Sequence, residues 1–122
     1  MICIGETLMK NRYKSIISQF KYRGLSKGSE FLLTPTDALD IIDELTKFDI
    51  GILGVNIWQT VEKGIMEILG GLNLSKLFRE TKDTHQFAQS SAKMAIEYIT
   101  NYLPDEIDYV SFVTVDDLLL LQ

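Results

Sequence analysis

The stretch Ile50-Gly51-Ile52-Leu53-Gly54-Val55-Asn56-Ile57-Trp58 decides the fold class. Its β-branched and aromatic side chains suit a pleated surface, and each of its two interior glycines would cost a helix about 1 kcal/mol. A mostly buried strand is predicted here. Thr60-Val61-Glu62-Lys63-Gly64 then has turn character, and Ile65 to Leu69 can return as the second arm of a hairpin, although the same five residues also suit a helix.

Upstream of this strand, Thr34-Pro35-Thr36-Asp37 has the chemistry of a helix start. Thr34 can accept a backbone N–H, Pro35 suits the first helical position, and Asp37 favours the positive end of the helix dipole. Ala38, Ile41, Ile42, Leu45 and Phe48 supply a buried stripe, so a helix is predicted from about Pro35 to Phe48. Another amphipathic pattern runs from Glu6 to Phe20 through Leu8, Met9, Tyr13, Ile16 and Ile17. Gly24, Ser26, Gly28 and Ser29 break it, and that short basic stretch reads as a connecting loop.

Downstream, the segment from Gly70 to Lys82 fits a short helix or an irregular packed loop and is left unassigned. Asp83 with Gln86 forms a capping box for a helix from about Thr84 to Leu103, ended by Pro104. Ile107 to Val115 carries apolar residues on both alternating faces, as an interior strand does. The Leu118 to Leu121 run closes the chain and is expected to dock on the core or on a partner. The fold class is therefore α+β, with an antiparallel-rich sheet of three or four strands and about three helices on one face.

The chain has 122 residues, of which 46% are hydrophobic and 24% charged, which suits one globular domain (residues 1–122) with a basic N-terminal helix and loop over residues 1–30. The single cysteine, Cys3, cannot form an internal disulfide, which favours a reducing compartment and makes the cytoplasm the expected location. The apolar opening Met1 to Gly5 is too short for a signal-peptide core, and no apolar run approaches the roughly 18 to 20 residues of a membrane span. No membrane partner is expected.

Charge is unevenly placed. Residues 1–27 hold six bases against one acid, net +5, whereas the remainder holds six bases against sixteen acids, net −10. An acidic body repels phosphate backbones and attracts basic surfaces, so nucleic acid is not an expected partner. The same carboxylates also serve simply to keep a small protein soluble.

Catalytic chemistry has little to work with. His85, the only histidine, falls in the first turn of a predicted helix, and Cys3 has no histidine near it in sequence. Asp37, Asp40, Asp43 and Glu44 fit the solvated face of a capped helix better than a metal site, and Gly51 with Gly54 does not complete a phosphate-binding fingerprint. No cofactor, metal or catalytic residue is expected. Binding is better served: Asp105, Glu106, Asp108, Asp116 and Asp117 lie within thirteen residues that contain no base. These acids flank the last strand, and Trp58 and Tyr109 can supply aromatic anchors, with core packing the plainer reading of Trp58.

Residues 33 to 114 resemble family 40 of the immunity proteins of bacterial polymorphic toxin systems. The resemblance is carried by Leu33-Thr34-Pro35 ahead of Ala38, Leu39 and Ile42, by Gly51 to Trp58, by Ala95-Ile96-Glu97-Tyr98-Ile99 with Asn101-Tyr102, and by Tyr109 to Thr114. It covers about two-thirds of the chain and defines an immunity-like core over residues 31–115. The family pattern has Gly-Gly-Asp-Val-Tyr where this chain has Gly54-Val55-Asn56-Ile57-Trp58, and an Asp-Asn-Trp stretch where it has Leu72 to Phe78. The resemblance implies a cytoplasmic antidote that occupies and blocks a cognate toxin domain, and the acidic body implies a basic toxin. Two competing readings stand beside it. One is a small-molecule or peptide-binding sensor with its ligand near Gly51, Gly54 and Trp58, between the last helix and the sheet; the other is a subunit that homodimerises through Leu118 to Leu121. The oligomeric state is left open.

Overall fold

A computed structural model describes residues 12–116. Along that span run α1 (Arg12–Gln19), β1 (Gly24–Lys27), β2 (Glu30–Leu33), α2 (Pro35–Lys47), β3 (Ile52–Val61), β4 (Gly64–Asn73), α3 (Ser75–Glu80), α4 (Thr84–Glu97), a π-helical turn (Tyr98–Tyr102) and β5 (Tyr109–Thr114). The start of the N-terminal helical pattern, Cys3, Asp117 and the Leu118 to Leu121 run lie outside the described residues.

The strands form one sheet in the order β1-β2-β5-β3-β4, with each neighbouring pair antiparallel. β5 is central, held by β3 through pairs from Ile52↔Thr114 to Trp58↔Tyr109 and by β2 at Leu33↔Val110. A central strand is paired on both edges and mostly buried, which is why its sequence is largely apolar, with Ser111 and Thr114 as buried polar members. One face gives Phe31, Leu33, Ile52, Val55, Ile57, Val110 and Phe112 to the core. Tyr13, Ile16 and Phe20 from α1 and the turn after it, Ala38, Ile41, Ile42 and Leu45 from α2, and Ala92, Ala95 and Ile99 from α4 and the π turn join that same cluster. The fold is α+β, with α1, α2 and α4 on one side of the sheet.

The helix boundaries follow local chemistry. Thr34 sits extended at φ −61° and ψ 155° and accepts from the Asp37 N–H, with Pro35 at the first helical position. α2 ends where Asp49, at φ 55°, adopts the left-handed conformation that aspartate tolerates. Asp83 accepts from the Gln86 N–H and opens α4, whose Ala88, Ser91, Ala92 and Ala95 are buried and small enough for close packing. The predicted helix to Leu103 is α-helical only to Glu97, because the last turn widens into the π turn. Leu103 is then extended, as a residue before proline must be.

One segment departs from the sequence expectation, and two that it left open are filled in. The stretch read as a loop is the β1–β2 hairpin, closed between Lys27↔Glu30 by Gly28 at φ 61° and Ser29. The second arm of the β3 hairpin extends from Gly64 to Asn73, and the unassigned segment after it contains α3. The sheet therefore has five strands where three or four were expected. Among the described residues, no helix is long and apolar enough to cross a membrane.

Candidate partner-binding surfaces

The acids that the sequence groups around the last strand are divided by it. Asp105, Glu106 and Asp108 precede β5, whereas Asp116 follows it, and a six-residue strand separates the two ends by about 20 Å. Asp105 and Glu106 are exposed in a turn and make no salt bridge among the described residues. Asp108 is also exposed, and its Oδ2 accepts from the Thr60 N–H at 2.8 Å while its own N–H donates to the Trp58 carbonyl at 2.9 Å. Tyr109 is half-buried beside it.

Asp116 is a different kind of group. It is fully buried, and Arg12 donates to it from Nη2 at 2.9 Å, from Nε at 3.3 Å and from its backbone N–H at 2.9 Å. Arg12 Nη1 reaches on to the Phe48 carbonyl at 2.6 Å. The expectation that Asp116 faces a partner is corrected by this burial: its charge is spent inside the fold, fastening α1 to the far end of β5. Arg23 makes a second such junction, donating to Asp37 and Asp40 at the start of α2. The hydrogen bond to Asp40, then that to Asp37, raises the Arg23 pKa above its ordinary value. These two arginines thus tie the basic N-terminal region onto the acidic body.

Trp58 is also interior, at 6% exposure. It lies on the sheet face away from the core helices, and its Nε1–H donates to Ser111 Oγ at 3.0 Å. Ser111 Oγ donates to Glu30 Oε1 at 2.7 Å, and Asn56 Nδ2 donates to the same oxygen at 3.2 Å. Four side chains from β2, β3 and β5 thus form one polar chain across three strands. Sequence reasoning missed Glu30, Asn56 and Ser111, since only the strand pairing brings them together.

Beside Asn56 the sheet opens into a cleft of about 540 Å³, between β3 and the outer part of β4. Its walls include Leu53, Gly54, Asn56, Glu67, Leu69 and Asn73. The sensor site imagined near Gly51, Gly54 and Trp58 is not assembled this way. The Phe87 ring of α4 closes over Gly51, while Gly54 lines this cleft and Trp58 lies across β5. His85 meets Asp49 at 2.7 Å on the surface, with its side chain 67% exposed. Among the described residues, no three His, Cys, Asp or Glu side chains are grouped to hold a metal.

A protein-family model described as Immunity protein 40 matches residues 19–115. No curated protein and no solved structure matches the chain significantly. The matched span runs from the end of α1 past β5 and so takes in the whole sheet, α2, α3 and α4. With most of its length and all five described strands inside that match, the chain belongs to the immunity protein 40 family.

Proposed function

We propose that the chain protects its host cell as an antidote, binding a cognate toxin domain and blocking it without catalysis. The family match over residues 19–115 carries this reading, and the immunity function follows from it at the coarser level. The finer statements rest on charge and exposure. The acids Asp105, Glu106 and Asp108 crowd one end of the sheet, with Tyr109 half-buried next to them and Asp116 held inside the fold at the other end. A toxin with a basic surface would be steered toward that end. The chain acts in this reading as one domain in the cytoplasm, where the toxin would otherwise reach its target.

Steering makes a quantitative prediction. A variant carrying Asp105→Asn, Glu106→Gln and Asp108→Asn keeps every backbone interaction, because an asparagine oxygen at 108 still accepts from Thr60. Its association rate with the cognate toxin domain should fall about tenfold at low salt, with a weaker salt dependence and an unchanged melting temperature. Growth of cells expressing the toxin should be rescued fully by the unaltered chain and less well by the variant. An unaltered rate and salt slope would move the interface away from this end of the sheet. Failure of the unaltered chain to rescue growth would contradict the antidote reading itself.

A further inference from the structure

The irregular part of β4 has a geometry that core packing does not require. On β3, Val55 pairs with Leu72 and Ile57 with Ile68, so Asn56 alone faces the three residues Leu69, Gly70 and Gly71. Both glycines are needed. Gly70 lies at φ 102°, and a Cβ on Gly71 would collide with the Val55 carbonyl oxygen. Leu69 stands out from this bulge at 93% exposure, on a strand that ends the sheet. Edge strands are usually protected by charge or distortion, and a bulge serves that end, but an exposed leucine at its tip works against it.

The cleft beside the bulge has a chemistry of its own. Leu53, Leu69 and Leu72 give it apolar walls, Glu67 places a carboxylate at its margin, and no Lys or Arg is among its described lining. Asn56 links it to the buried polar chain. Because Asn56 Nδ2 is given to Glu30, the amide oxygen is the acceptor left for a ligand. Glu30 stands behind it with no salt bridge among the described residues. Apolar walls, an amide acceptor and the Glu67 carboxylate, with no Lys or Arg in the lining, suit a side chain with an apolar stem and a cationic, hydrogen-bond-donating head.

We infer that this bulge and cleft form a socket for an arginine or lysine side chain of the toxin, with Leu69 as the apolar contact at its rim. The assignment rests on the antidote reading and gives it a second contact region, distinct from the acids before β5. In this arrangement the stem of the toxin side chain lies along the leucines, and its head reaches Asn56 Oδ1 and the Glu67 carboxylate. The single tryptophan then reports the event, because its indole N–H is coupled to Asn56 through Ser111 and Glu30.

The test uses the full chain and its cognate toxin domain. Glu67→Lys and Leu69→Ser change exposed side chains, and circular dichroism should find both variants folded. Each should weaken toxin binding about tenfold or more in calorimetry, and a toxin Arg→Glu or Lys→Glu substitution that abolishes binding to the unaltered chain should regain it with Glu67→Lys. Toxin binding to the unaltered chain should also shift the Trp58 indole N–H resonance. If the unaltered chain binds but both variants bind equally well and the indole resonance stays fixed, the socket is wrong and the antidote reading stands. If the unaltered chain does not bind, both are overturned.

Discussion

Replacing Arg12 by leucine will lower the melting temperature by about 12 °C. Asp116 is fully buried, and three of its hydrogen bonds come from Arg12. The substitution removes the guanidinium but keeps the backbone N–H, so it leaves an interior carboxylate with one of those three donors. Breaking one side of a buried ion pair costs about 3 to 5 kcal/mol, because the remaining charge has lost its solvent and its partner. The half-exposed position of Arg12 places the expected loss near about 3 kcal/mol, and at about 4 °C per kcal/mol for a domain of this size that gives the stated shift. Lys47→Ala is the control, since Lys47 pairs with Asp43 and Glu44 on an open helix face. There the melting temperature should stay close to that of the unaltered chain, because exposed ion pairs contribute little. Equal melting temperatures for the two variants, measured by circular dichroism, would mean that the Arg12 junction does not hold α1 to the sheet.

Gly71→Val will destabilise the chain by about 3 kcal/mol, at the upper end of what overpacking usually costs. A Cβ at this position meets the Val55 carbonyl, which belongs to backbone and cannot rotate away as a side chain would. Relief requires β4 to separate from β3 or the bulge to move along the ladder. Gly64 offers a comparison: it has a positive φ, of 140°, which Gly71 does not, and a Cβ there meets nothing within 4 Å. Chemical denaturation should therefore show that Gly64→Ala carries backbone strain alone, while Gly71→Val adds a collision to a strand-pairing defect. If Gly71→Val were the milder change, the close approach of the two strands at the bulge would be refuted.

How far the sequence disclosed this fold depended on the distance between cause and effect. α2 was legible because Thr34, Pro35 and Asp37 act within one helical turn, and α4 because Asp83 caps it locally. β3 and β5 were legible because burial on both faces leaves an apolar run. The β1–β2 hairpin was missed although Gly28-Ser29 is a plausible two-residue turn, since Leu25 and Lys27 on the edge strand are exposed and give no apolar alternation. Gly70-Gly71 read as the opening of a new segment because the collision that demands glycine comes from Val55, on another strand.

The same distance governs the candidate surfaces. Nothing local separates Asp116 from Asp105 and Glu106, but Asp116 is buried by an arginine 104 positions away. Core packing was the plainer reading of Trp58 and an interface anchor the other; it is buried, and its indole N–H donates to Ser111, 53 positions away. Glu30 and Ser111 are 81 positions apart and were invisible as a pair. The family resemblance was legible for a different reason: it rested on the order of segments from Leu33 to Thr114, all of which fall inside the matched span.

The antidote reading is tested most directly by titrating the purified chain into a fixed amount of its cognate toxin domain and following the toxin's own activity. A blocking protein removes activity in proportion to the amount added, with complete loss at one equivalent and recovery when the complex is dissociated. Toxin activity that persists with the chain in large excess would contradict the account, as would loss of activity from a trace of the chain, which only a catalyst could produce.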